Sequence, residues 1–268
     1  MKTLLRTMFV IAATISAGIG LAVAKSPDAT LALHTPIHNA IAAEDTEAFM
    51  ALCVPGLENE IDRPLLLTWM QELNRACGAN QQRLGNTVEY AVRFTPQTRQ
   101  IHTKVDLLYQ NGVVSSSLVI ENGLIAGYSI QSDSLDKGWF QGPSDASLYF
   151  ERSEKLLVGL LNEKYTELEP LMHPALNELV TLEKLQSIQS AASEMIGDIE
   201  SVVRLGGEFE SNDTQDKMTL KFRITGDQGE VIADAVTIFD GMKGSIIEFN
   251  YTPVVEVTSD EENAVAVK

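Results

Sequence analysis

The chain of 268 residues carries 37 acidic and 20 basic side chains, for a formal charge of −17, and 44% of its residues are apolar. That apolar share is what a packed globular protein needs and sets aside a disordered chain. The acidic excess repels phosphate backbones and anionic lipid, which argues against a nucleic-acid or membrane-surface role.

The first residues, Met1-Lys2 and Arg6, precede an uncharged apolar run from Met8 to Val23. Ala22-Val23-Ala24 then has the small-x-small form of a signal-peptidase site. Cleavage after Ala24 is expected, leaving a periplasmic or secreted protein that starts at Lys25 and has no further membrane attachment. The competing reading, an anchor, meets a run that is short for a span and rich in alanine and glycine. Loss of Lys2 and Arg6 takes the formal charge from −17 to −19.

Leu31, His34, Ile37 and Ile41 fall at helical spacing, and Pro36 fits only near a helix start, so a first helix is predicted from about Thr35. Asp45 or Thr46 caps a short second helix carrying Phe49, Leu52 and Cys53, which Pro55-Gly56 stops. Asp62 caps a third, with Pro64 in its first turn and an apolar face of Leu66, Trp69, Met70, Leu73 and Cys77; Gly78 ends it. Four strands are predicted next, over 87–94, 101–109, 113–120 and 124–130. The last three are joined by turns at Asn111-Gly112 and Asn122-Gly123, both strong hairpin signals. Alternation puts Val105, Leu107 and Tyr109 on one face and His102, Lys104 and Asp106 on the other, as in an antiparallel sheet with one buried face.

Residues 134–145 contain Gly138, Gly142 and Pro143 and are read as a linker, although Trp139-Phe140 is too apolar for a free tether and should dock on a domain. A second copy of the design begins near Ala146. Its helices are marked by Phe150, Leu156, Leu157, Leu160 and Leu161, then Tyr165, Leu168, Leu171 and Met172, then Leu182, Leu185, Ile188, Met195 and Ile196. Pro55 and Pro174 lie 119 positions apart, as do Gly78 and Gly197. Arg83-Leu84-Gly85 answers Arg204-Leu205-Gly206, and Asp240-Gly241 stands where Asn122-Gly123 stood. Such ordered matching over about a hundred residues indicates a domain duplication. After Pro253 the acidic tail, 256–268, has little to bury.

Three helices followed by a four-stranded antiparallel meander resemble the nuclear-transport-factor-2-like, or cystatin-like, cone. Within that superfamily each copy is similar to an uncharacterised bacterial domain sometimes found before alpha/beta-hydrolase domains. The matching features are the short-helix segment ending at Leu52 or Leu171, the third helix ending at Gly78 or Gly197, and the terminal strand Leu124-Ile125-Ala126-Gly127-Tyr128. The second copy departs there, with Met242-Lys243-Gly244-Ser245-Ile246. The resemblance implies an α+β fold of two tandem cone-like domains, 25–133 and 146–255, each with three helices packed on a curved four-stranded sheet. It also implies a pocket inside the cone, which Trp69, Tyr90, Tyr109 and Tyr128 would line.

No chemical motif names a reaction. Gly127-Tyr128-Ser129-Ile130-Gln131 lacks the last glycine of a nucleophile elbow, and no phosphate loop or zinc-type cluster is present. His34 and His38, four apart, would share a helix face and could share a metal, but Pro36 lies between them and no acidic third ligand is near; structural or surface roles are favoured. His102 should face outward, and His173 sits at a helix end beside Pro174. A ketosteroid-isomerase-like site would pair a tyrosine with a carboxylate, yet Asp106 should face away from Tyr109. Cys53 and Cys77 are the only cysteines, and export makes a disulfide between them a candidate; the alternative is two buried thiols. The reading is a non-enzymatic binding or interaction protein for a small molecule or an envelope protein, needing no cofactor or metal. The alternative is a small-molecule enzyme, isomerase- or dehydratase-like, using one cone pocket.

Overall fold

The computed structural model describes residues 32–94, 99–135, 140, 142–211 and 215–254, without the side chains of 82–90 and 93–94. Residues 1–24, where a signal segment is expected, Trp139, the tail 256–268 and the side chain of Tyr90 lie outside the described residues. The protein is α+β, with curled antiparallel sheet. Its helices are α1 (His34–Ala43), α2 (Thr46–Met50), α3 (Arg63–Cys77), α4 (Ser147–Leu161), α5 (Pro174–Leu179) and α6 (Leu182–Ile196). Strands β1 (Asn80–Phe94), β2 (Arg99–Tyr109), β3 (Gly112–Glu121) and β4 (Leu124–Ser132) follow α3, and β5 (Ile199–Ser211), β6 (Asp216–Gly226), β7 (Glu230–Asp240) and β8 (Lys243–Pro253) follow α6. They form two four-stranded sheets, each in simple sequence order.

The described residues make two compact units. One takes those up to Leu148 together with those in Glu210–Asp216 and Phe239–Gly244, and the other takes the rest. In the first, α1 turns Ile37, Ala40 and Ile41 inward, and α3 turns Leu65, Leu66, Trp69, Met70, Leu73 and Cys77 inward. They meet Val105, Leu107, Tyr109, Val114, Leu118, Ile120, Ile125 and Tyr128 from the sheet. Strand alternation supplies that face: in β2 every second residue from Thr103 to Tyr109 is buried, while Asp106 points away and accepts the Ser115 hydroxyl at 2.5 Å. Phe140 is buried in the same core, as expected of a docked ring, and so is Met242 from the β7–β8 turn.

Caps set the helix ends. The Asp45 carboxylate accepts from the Ala48 amide at 2.9 Å, satisfying a donor that α2 leaves open. Asp62 stands at the N-cap of α3 but makes no cap bond; its carboxylate accepts from the Gly244 amide at 2.8 Å instead. Gly78 ends α3 at φ 73°, where the β2–β3 turn closes over it through Asn111, whose amide donates to the Cys77 carbonyl at 3.0 Å.

In the second unit Leu156, Leu157, Leu160, Leu168, Leu185, Ala192 and Ile196 pack against Leu220, Phe222, Ile224, Val231, Ala233, Ala235 and Ile246. Three expectations need correction. The short helix around Tyr165 is a pair of single 3-10 turns, Tyr165–Glu167 and Glu169–Leu171, because Pro170 cannot continue an α-helix. The extra helix α5 follows, started by Pro174 and capped by the His173 side chain, which accepts from the Ala175 amide. The buried face of α6 is Leu185, Ala192 and Ile196; Leu182 and Ile188, expected inside, are exposed.

Candidate functional site

The first unit holds a polar cluster inside an otherwise apolar core. His34 and His38 share the inner face of α1 because they are one turn apart. Two hydroxyls interrupt the inward rows of the sheet to meet the first: His34 Nε2 is 3.0 Å from Thr103 Oγ1, and Nδ1 is 3.1 Å from Ser116 Oγ. His38 Nδ1 lies 2.6 Å from the Tyr109 hydroxyl. Tyr128 makes edge contacts with His38, Phe49 and Trp69 at 5.7–6.0 Å between ring centres. Three buried polar atoms here have no hydrogen-bond partner: His38 Nε2, Trp69 Nε1 and the Tyr128 hydroxyl. The Ser116 hydroxyl is near enough to ease Tyr128 ionisation slightly, without bonding geometry.

Burial fixes the protonation of this cluster. It pushes the His38 imidazole down to about 3, with the neighbouring His34 adding to the effect. Burial holds both phenols above their ordinary range, Tyr109 further affected by Cys77 and Tyr128 by Tyr109. At neutral pH the cluster is therefore uncharged at these three groups.

A cleft of about 600 Å³ opens beside the cluster, within the usual range for ligand pockets. It is lined by His34, Thr35, His38 and Asn39 of α1 and Glu44 at its C-cap, by Asn74 of α3 and Gly78 after it, by Asn80 and Gln81 of β1, and by Val105 and Leu107 of β2. Among the described residues lining it there is no lysine or arginine. Trp69, Tyr109 and Tyr128, expected to line a pocket, are not at its wall; they are core residues, each no more than 2% exposed. The reason is packing: Phe49, Trp69 and Tyr128 fill the interior between helices and sheet.

Cys53 and Cys77 are free thiols, in place of the expected bridge. Cys53 pairs with Ile125 near the β3–β4 turn and donates to the Phe49 carbonyl at 3.4 Å. Cys77 lies against the β2–β3 turn, with its thiol near Ser132. Ile125 and Ser132 are at opposite ends of β4, about 20 Å apart at strand rise, beyond the reach of a disulfide. Burial, then Glu58, pushes the Cys53 thiol up to about 12, so it is inert.

Sequence reasoning placed His34 on the apolar face but did not join it to the sheet. The available signal was the pair of inward hydroxyls, Thr103 between Ile101 and Val105 and Ser116 between Val114 and Leu118. His102 is half-buried on the outer face, beside Lys104. The second unit lacks the cluster: 119 residues on from His34, His38 and Ser116 stand Ser153, Leu157 and Ala235, all fully buried. Among the described residues no group of three histidine, cysteine or acidic side chains is placed to hold a metal ion. Comparison with known proteins gives no match: no family model, no curated protein and no solved structure corresponds to this chain.

Proposed function

We propose that this chain is an exported, non-enzymatic binding protein built from two tandem nuclear-transport-factor-2-like domains, and that the His34–His38 cleft holds a small-molecule ligand. The cleft carries this reading: it has the volume of a ligand site, and its lining combines side-chain amides with the apolar Val105 and Leu107. The basic start, the apolar run and Ala22-Val23-Ala24 support export. The 119-residue spacing of prolines and glycines, and helices preceding the sheet in both halves, support the duplication. The enzymatic alternative would rest on the His38–Tyr109 contact of 2.6 Å. An imidazole pushed to about 3 and a phenol held above its ordinary range are poorly matched to proton transfer near neutral pH, which favours binding.

The test is a fragment titration of the ¹⁵N-labelled mature chain by NMR. Fragments should shift resonances of Asn39, Asn74 and Asn80 and be recovered unchanged. A library that leaves those resonances untouched, or fragments consumed by the protein, would overturn the reading.

A further inference from the structure

Resting on that reading, the geometry points to the ligand's chemistry: we propose that the cleft takes a neutral, oxygen-rich small molecule of the saccharide type, and that His38 Nε2–H donates a hydrogen bond to one of its oxygens. Tyr109 determines which ring nitrogen of His38 carries the proton. Its hydroxyl is buried, and among the described residues His38 is its one hydrogen-bond partner. A phenol always carries a proton to donate unless it ionises, and burial keeps this one neutral. Were His38 Nδ1 protonated, the phenolic hydrogen would be stranded without an acceptor in the core. The arrangement that satisfies both groups has Tyr109 donating to a bare Nδ1, which fixes the ring proton on Nε2.

Nε2–H is then a donor with a fixed direction and, in the structure, no acceptor. His38 is one of the residues forming the cleft wall. A buried donor left unmet is unfavourable, so a ligand that brings an oxygen to this wall gains affinity by meeting it. His38 is 2% exposed and Nε2 itself is buried, so the ring, or a residue that covers it, must shift as the ligand oxygen arrives.

Three observations select a neutral oxygen over a charged one. The imidazole stays uncharged through the physiological range and offers no cation. Glu44 is among the lining residues and the chain is strongly acidic overall, so an anion would be repelled. Beyond the two histidines and Glu44, the polar lining is four amides, Asn39, Asn74, Asn80 and Gln81, and the Thr35 hydroxyl. Amides both donate and accept, as sugar hydroxyls do, while Val105 and Leu107 suit the apolar face of a sugar ring. The second unit, with Leu157 where the first has His38, lacks this donor.

The experiment uses the mature chain and three trisaccharide probes: neutral maltotriose, acidic trigalacturonate and cationic chitotriose. Nitrogen-15 NMR of the imidazoles should show His38 protonated at Nε2 from pH 5 to 8. Maltotriose should shift that nitrogen together with the amides of Asn39 and Asn80, and bind at least tenfold more tightly than either charged probe. His38→Leu, paired with Tyr109→Phe so that no hydroxyl is stranded, should weaken maltotriose at least tenfold. The fold should tolerate it, because leucine already fills the matching site of the second unit, and its backbone spectrum reports whether it does. Should that variant unfold, His38→Gln, which keeps an N–H donor, should retain more affinity than His38→Met. A ring protonated at Nδ1, preference for a charged probe, or affinity indifferent to position 38 would overturn the proposal. Fragments found in the cleft without maltotriose binding would sink this inference alone. A cleft that takes neither fragments nor sugars would sink the binding reading with it.

Discussion

His38 ties the site to the stability of the molecule. Its folded-state pKa is depressed to about 3, from an ordinary 6.5, so between those values the unfolded chain binds the extra proton. The stabilisation is complete above about 6.5 and is lost as pH falls toward 3, at up to about 1.4 kcal/mol per pH unit. Urea unfolding from pH 4 to 7 should therefore show wild type losing stability on acidification faster than His38→Leu/Tyr109→Phe. Parallel curves would mean that the imidazole is not held neutral. At the cysteines, the unfolded, unreduced mature protein should take two alkylating groups, whereas the native fold should label slowly because both thiols are buried. A mass two hydrogens lower with no alkylation would show a bridge, and with it a different placement of α3 along the sheet.

Turns and helix ends were the most legible elements, because glycine, proline and capping residues act through local backbone chemistry. Gly78 shows how much rests on one of them. At φ 73° a side chain is strained, and an added Cβ would lie 2.8 Å from Gln110 Cβ. Gly123 is also at positive φ, 84°, but has nothing within 4 Å. Gly78→Ala should thus cost more than Gly123→Ala, about 2–3 against about 1 kcal/mol, as read by chemical denaturation. Equal losses would mean that crowding by the turn is unimportant. Less legible were α5 and the face of α6. Periodicity marks Leu182 and Ile188 as apolar but does not say that nothing covers them, and both stay exposed. The disulfide expectation failed for a related reason: two residues on apolar faces share a core, yet that core runs the length of β4.

For the whole chain, the inward row Val105, Leu107 and Tyr109 of β2 and the inward face of α3 could be read directly, and the structure has them as read. The site could not. It needs His34 and His38 to meet residues some 70–80 positions away, and only the register of β2 with β3 brings Thr103 and Ser116 to one helix. Export belongs to the same scale: N-terminal sequencing of the secreted protein should begin at Lys25, and retention of Met1–Ala24 in a membrane fraction would contradict it. The central claim, that the first-unit cleft is the binding site, is tested most directly by filling it. Ala42 lines the cleft from an exposed position on α1, so Ala42→Trp should occupy the space and leave the core alone. Titrated with the same fragments, Ala42→Trp should keep its wild-type fold and lose binding at least tenfold; a folded variant that binds them as well as wild type would contradict the account.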